Sequence, residues 1–204
     1  MSKLIKPPRF RYTNESLSSI IEGLQINESD NVLSIAGSGD QPFAILEHAG
    51  EVLAVDIDTD QINYVARRME FLKMGYVEKF FNPLPKKIMN RYPEKELLAR
   101  LTRKYFSRNI EIIRKKLPKL NISVADIYDV KDGVFSKIYL SNAHSKDGEN
   151  IAHLLKTNGL LLEMTGGYIL NFKGLEIHPE FTEKARQHES LSGEPLVPTV
   201  YIKV

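Results

Sequence analysis

The stretch from Asn31 to Asp58, NVLSIAGSGDQPFAILEHAGEVLAVDID, most narrows what this chain can fold into. Val32, Leu33 and Ile35 suit a short strand covered on both faces. Gly37-Ser38-Gly39 is the turn after it. Pro42 stands where the first turn of a helix tolerates proline, because its missing N–H would be unpaired there anyway. The helix predicted from this point runs to about His48 and is ended by Gly50. Glu51–Ile57 is a second strand, with Asp56 and Asp58 at its end. Strand, glycine-bearing turn, helix and strand with terminal acids open a nucleotide-binding α/β unit.

The rest of the chain continues the alternation. Asn14 or Ser16 caps a helix to about Leu24, and Asp58-Thr59-Asp60 caps another over about Gln61–Met74, ended by Gly75. Further strands are expected at Asn121–Ala125, Phe135–Leu140 and Leu160–Met164, with a helix at Gly148–Lys156 stopped by Asn158-Gly159. Tyr168–Phe172 and Thr199–Val204 read as late strands, with a polar helix or loop at about Phe181–Ser190 between them. The expectation is a single α/β domain, doubly wound around a mostly parallel sheet. An N-terminal arm and helix (1–30) and a basic helical insertion (76–120) are attached to it. Right-handed crossovers place every turn after a parallel strand on one edge. Gly37–Asp40, Asp56–Asp58, Asp126–Ile127 and Ser141–His144 therefore converge there, where open α/β sheets bind ligands.

Composition narrows the partners. At 204 residues, with 42% hydrophobic and 26% charged residues, the chain suits one globular domain. It has no cysteine, so disulfides, thiolate metal sites and cysteine nucleophiles are excluded. No apolar run reaches the ~18–20 residues of a membrane span, and MSKLIKPPRF does not read as a secretory leader. A cytoplasmic location is expected. Residues 71–120 hold 14 of the 28 Lys/Arg and 4 of the 26 Asp/Glu, so this window carries +10 and the remainder −8. Such segregation suits an anionic partner, such as a lipid headgroup or a membrane surface touched peripherally by residues 86–119, or else a solvated helical face. Nucleic acid is disfavoured, because no cluster of stacking aromatics apart from Tyr105-Phe106 interleaves with the basic residues.

The first turn lacks the Gly-Lys-Ser/Thr of a phosphate loop, and Pro42 stands where a dinucleotide fingerprint needs glycine. S-adenosylmethionine carries no phosphate and asks for other things. It needs close backbone approach, which Gly37 and Gly39 allow, and an acid for the ribose, which Asp56 supplies 17 residues beyond Gly39. Asp126 can accept from the adenine amino group. Asp58 reads better as a helix cap.

The residues Ser34-Ile35-Ala36-Gly37-Ser38-Gly39-Asp40 depart from the common class I methyltransferase pattern, which has an acid at Ser34 and glycine at Ala36. Together with Ala54–Asp58 and Gln61, Met69–Leu72 with Gly75, and Tyr139-Leu140-Ser141-Asn142, they resemble the betaine-lipid synthesis family. These are the S-adenosylmethionine:diacylglycerol 3-amino-3-carboxypropyltransferases. The resemblance covers roughly residues 10–165 in patches. It implies a class I methyltransferase-like (Rossmann-like) fold and cofactor contacts at Gly37, Ser38, Asp40, Asp56, Asp58, Asp126 and Asn142. The strand-edge argument adds Gly39, Ile57, Ile127 and Ser141.

The chemistry implied is attack on the methionine Cγ of the sulfonium, with methylthioadenosine leaving and a lipid or small-molecule nucleophile as acceptor. Attack at the methyl group, as in an ordinary methyltransferase, stays open. So do cyclisation onto the methionine amine and a non-catalytic binding role for the basic face. In-line displacement rests on proximity and alignment, with a base if the acceptor must lose a proton. His144, Tyr12 and Glu163 are the candidates for base or orienting group. Tyr139 is a weaker one, reading as core. The other histidines show no ligand spacing, so no metal is expected.

Overall fold

The computed structural model describes residues 8–84, 96–131, 133–141, 151–166, 169–189 and 196–204. Ser16 opens the first helix, α1 (Leu17–Leu24), its hydroxyl accepting from the Ser19 amide. Then come β1 (Asn31–Ile35), α2 (Asp40–His48) and β2 (Glu51–Asp56). α3 (Thr59–Lys73) is capped by the Asp58 carboxylate, which accepts from the Asp60 amide at 2.8 Å. The basic segment contains α4 (Val77–Phe81), α5 (Glu96–Phe106) and α6 (Ile110–Lys116). β3 (Leu120–Val124), β4 (Phe135–Ser141), β5 (Leu155–Thr165) and β6 (Leu175–Ile177) follow. α7 (Pro179–His188) and β7 (Val197–Lys203) close the described chain.

The strands form one seven-stranded sheet in the order β3-β2-β1-β4-β5-β7-β6. All pairs from β3 across to β5 are parallel, and β7 runs antiparallel to both β5 and β6. The winding reverses between β1 and β4. On one face Ile20, Phe43, Val65 and Phe80 pack on Val32, Ala54 and Leu162. On the other, Ile127, Ile151 and Leu154 from the connections into β4 and β5 pack on Leu33, Ile138 and Leu161. Connections thus cross both faces, as the alternation predicts. Among the described residues, however, every α-helix contributes to the first face, and the second is covered by 3-10 turns and the segment around Phe172. α1 sits close to the sheet because Gly23 has no side chain: a Cβ there would lie 2.5 Å from Leu162 and 2.8 Å from Ala185 of α7.

Two expectations for the second half are corrected. Residues 151–156 form no α-helix: Ala152–Leu154 is a single 3-10 turn and β5 already begins at Leu155. Residues 148–150 lie outside the described residues. Asn158-Gly159, read as a helix stop, instead shapes a bulge within β5. The pairing jumps from Phe135–Leu155 to Lys137–Leu160, and Asn158 adopts φ +60°. The same residue types serve both features, because each needs left-handed or tightly approached backbone. Ile169–Phe172 is not a strand either; Phe172 is buried against Tyr201, ring centroids 5.0 Å apart, and the late strand is β6. Tyr168 lies outside the described residues.

The turn after β1 is anchored by a buried ion pair. Arg68 of α3 and Asp40 of α2, both side chains fully buried, meet at 2.7 Å. The guanidinium also donates to the Ser38 carbonyl at 2.7 Å and the Phe80 carbonyl at 3.2 Å, and lies 4.5 Å from the Phe80 ring centroid. Asp40 further accepts from the Thr13 amide at 2.9 Å and the Ser38 hydroxyl at 2.9 Å. Asp40→Ala leaves the guanidinium buried without its counter-charge and is expected to cost about 3–5 kcal/mol. The check is a urea unfolding curve, where the midpoint drops at unchanged slope; a wild-type midpoint contradicts the anchoring role.

Candidate active site

Because β1 to β4 are parallel neighbours, their carboxyl ends bring Gly37, Asp56, Asp126 and Ser141 to one edge. The turn after β1 is tied to the end of β2. Gly37, at φ +48°, donates its amide to Asp56 Oδ2 at 3.1 Å, and the Asp58 amide donates to Asp56 Oδ1 at 3.0 Å. Burial raises the Asp56 carboxyl above its ordinary range, opposed by the two amides, which favour the charged form. Each carboxylate oxygen uses one acceptor site on backbone and keeps another. Ile57, next along, is 74% exposed, an apolar side chain held out at the strand end. Gly39, at φ +89°, would bring a Cβ to 3.0 Å from Phe43 and 3.2 Å from Val65, so glycine alone fits without strain.

Other expected contacts have structural partners. Asp58 caps α3. Asp126 caps a 3-10 turn, accepting from the Tyr128 amide at 3.0 Å, and Ile127 is buried in the second-face core. The side chains of Ser38 and Asp40 face inward, into the buried ion pair, and hold the turn from behind rather than facing the edge. Tyr12 is buried, and its hydroxyl donates to the Phe81 carbonyl at 3.3 Å beside Asn82 at 3.2 Å, at the end of α4 rather than at a strand end. Burial also raises its pKa, which works against a role as base. Asn142 and His144 lie outside the described residues.

The N-terminal arm crosses this edge. The Phe10 amide donates to Gln61 Oε1 at 3.1 Å, and Gln61 Nε2 donates back to the Phe10 carbonyl and on to the Gly37 carbonyl. Glu15, which sequence reading passes over, is the arm's central group. Buried, it accepts from the Tyr139 hydroxyl, the Ser141 hydroxyl and Gln41 Nε2, the last at 2.9 Å. Burial and the Glu15 charge push the Tyr139 phenol well up. Only the same-face spacing of Tyr139 and Ser141 hints at this, since Glu15 lies more than a hundred residues away in sequence. A cleft of about 470 Å³ between the arm and α5, lined by Glu15, Leu98, Leu101, Tyr105 and Arg108, opens next to this group. Asp56 and Asp126 are not on its wall.

In β5, Glu163 is 1% exposed and neither carboxylate oxygen has a hydrogen-bond partner; burial pushes its pKa up to about 7. Glu189 is also raised to about 7, by burial, although the Ser16 amide donates to it at 3.3 Å. Among the described residues no group of three or more His, Cys, Asp or Glu is placed to hold a metal ion. No helix of the described residues is long and apolar enough to cross a membrane.

No protein family matches the chain by sequence, and no curated protein does. Solved structures share its fold. A conserved hypothetical protein from Streptococcus pyogenes superposes with a TM-score of 0.55 at 14% identity, covering 92% of this chain and 94% of its own. An rRNA methylase from Streptococcus thermophilus gives 0.53 at 9% identity, covering 92% and 95%. The N-methyltransferase NodS from Bradyrhizobium japonicum, bound to S-adenosylhomocysteine, gives 0.50 at 9% identity, covering 91% and 83%. The fold is therefore that of the class I methyltransferases.

The two raised carboxyls make stability depend on pH. Both have an ordinary value of 4.5 and a folded value of about 7. Between these the folded chain holds more protons than the unfolded one. Their contribution is complete below about 4.5 and is lost as pH rises through about 7. Melting temperatures measured from pH 5 to pH 8 are expected to fall, and a Glu163→Gln/Glu189→Gln double variant should flatten that fall; an equally steep double variant contradicts the assignment.

Proposed function

We propose that the chain is an S-adenosylmethionine-dependent transferase. The observation that carries this reading is the Gly37–Asp56 unit beside the exposed Ile57, at the carboxyl ends of β1 and β2. Asp56 is oriented by two backbone amides and retains an acceptor site on each oxygen, which suits the vicinal hydroxyls of a ribose. Ile57 offers an apolar surface to a purine. Gly37 has no Cβ to keep the methionine portion away from the backbone. Asp126, at the next strand end, suits the adenine amino group. These residues fit the cofactor, whose sulfonium, when bound, presents carbons open to nucleophilic attack.

The chain's own part is to hold and align. The ion-paired turn and the arm fix the Gly37 backbone, so alignment for in-line displacement does not depend on a mobile loop tip. Two outcomes of transfer have separate support. The residues Ser34 and Tyr139–Asn142 favour aminocarboxypropyl transfer, through the family they resemble. The shared fold favours methyl transfer, since NodS and the rRNA methylase are methyltransferases by name. The acceptor is proposed as a lipid or small molecule. Arg100, Lys104, Arg108, Lys115 and Lys119, which form no ion pair among the described residues, suit an anionic acceptor or membrane surface.

Incubation with S-adenosylmethionine, with and without lipid extract, followed by mass analysis separates the outcomes. Methylthioadenosine marks aminocarboxypropyl transfer and S-adenosylhomocysteine marks methyl transfer. Methylthioadenosine formed without any acceptor marks cyclisation. Asp56→Ala is expected to weaken S-adenosylhomocysteine binding about tenfold or more, read by calorimetry; unchanged affinity removes the ribose assignment.

A further inference from the structure

β5 and β7 are antiparallel, and their register sets Glu163 directly opposite Thr199. Side chains so paired stand about 5 Å apart at Cβ. Alternation along the strands puts both on the second face, with Leu161 and Tyr201 of that core. Glu163 is 1% exposed and Thr199 2%. Neither carboxylate oxygen of Glu163 nor the hydroxyl of Thr199 has a hydrogen-bond partner.

The strands around Glu163 offer it no cation. β4 places Leu140 beside it. β7 brings Tyr201, whose hydroxyl donates to the Leu170 carbonyl at 2.7 Å and which is itself raised by burial and by the Glu163 charge. A buried carboxylate and a buried hydroxyl, adjacent and both unsatisfied, cost stability and return none within the chain. Other buried acids keep donors: Asp40 and Glu15 each have several, and Glu47, although one of its oxygens is unpartnered, is bonded through the other to Asn109. Glu163 is the acid, among the described residues, with both oxygens buried and unpartnered, and it lies towards the carboxyl end of its strand. Glu163 precedes the last residue of β5 by two positions, at the level of Leu140, and β5 is two strands, roughly 10 Å across the sheet, from β1.

We propose that Glu163 and Thr199 form a subsite for a protonated primary amine, the ammonium donating to the carboxylate and to the threonine oxygen. This rests on the transferase reading for its place in the reaction but not for its chemistry. An ammonium supplies three donors and a positive charge, which meets both orphans together. Two sources share that chemistry, the methionine amine of the cofactor and an amine on the acceptor.

The test uses Glu163→Gln and Thr199→Val in the full chain, with calorimetric titration of three probes. S-adenosylhomocysteine carries the methionine amine, methylthioadenosine lacks it, and butylamine stands for an acceptor amine. A loss of about tenfold or more for S-adenosylhomocysteine, with methylthioadenosine unchanged, supports the subsite and assigns it to the cofactor. A comparable loss for butylamine alone supports it and assigns it to the acceptor. Unchanged binding of both amines overturns it. Glu163→Gln should also raise the melting temperature at pH 8 by a few degrees, about 2–4 °C, because it removes an uncompensated buried charge; a fall would point to a structural carboxylate and overturn the proposal. If the wild-type chain binds neither nucleoside, the transferase reading fails, and the butylamine and melting arms still decide this subsite. Thr199→Val, close in shape, carries the binding comparison should the glutamine variant not fold.

Discussion

The ion pair between Asp40 and Arg68 is the contact on which the rest of the structure depends. A fully buried charge pair is not a cheap way to hold two helices together, because both ions lose their water. Here the surroundings offset that loss. The guanidinium reaches two backbone carbonyls and aromatic faces, and the carboxylate collects the Thr13 amide and the Ser38 hydroxyl. Four parts of the chain meet there: the arm, the first turn, α3 and α4. That junction backs the turn from within, while the Gly37 amide ties its front directly to Asp56.

Seen this way, the acids near the edge divide by physics rather than by position. Asp40 and Glu15 are saturated with donors and serve as internal glue. Asp58 and Asp126 terminate turns. Asp56 is held by amides yet keeps acceptor capacity. Glu163 is buried with no partner. The last two are the acids to which ligand contacts are proposed, and they lie on opposite sides of the point where the sheet reverses its winding. The basic insertion, by contrast, is partly consumed internally: Arg103 pairs with Glu78, Arg114 with Glu111, and Lys116 caps the carbonyl end of α2 through Glu47 and Ala49.

The first half of the fold is legible from sequence because its signals are local. Ser16, Asp58, Gly39 and Gly75 mark helix and turn boundaries, and apolar runs mark strands, so α1 to α3 and β1 to β4 fall within a few residues of expectation, whereas α4 inside the insertion is not anticipated. The second half is less so. Asn158-Gly159 means one thing after a helix and another inside a strand, and only the pairing of β4 with β5 decides which. In the site, strand-end topology places Asp56 and Asp126 correctly on the edge, since parallel order alone determines it. It does not distinguish a residue facing the edge from one turned inward, and so Ser38 and Asp40 look alike from sequence. Glu15 is illegible for a different reason: its role is defined by Tyr139 and Ser141, and long-range pairings leave no trace in local pattern.

The central claim is that the edge formed by Gly37, Asp56 and Ile57 is a nucleoside pocket. A crystal structure of the chain grown with S-adenosylhomocysteine tests it most directly. The account predicts the ribose hydroxyls on the Asp56 carboxylate with the adenine against Ile57. Density in the cleft between the arm and α5, with Asp56 untouched, would contradict it.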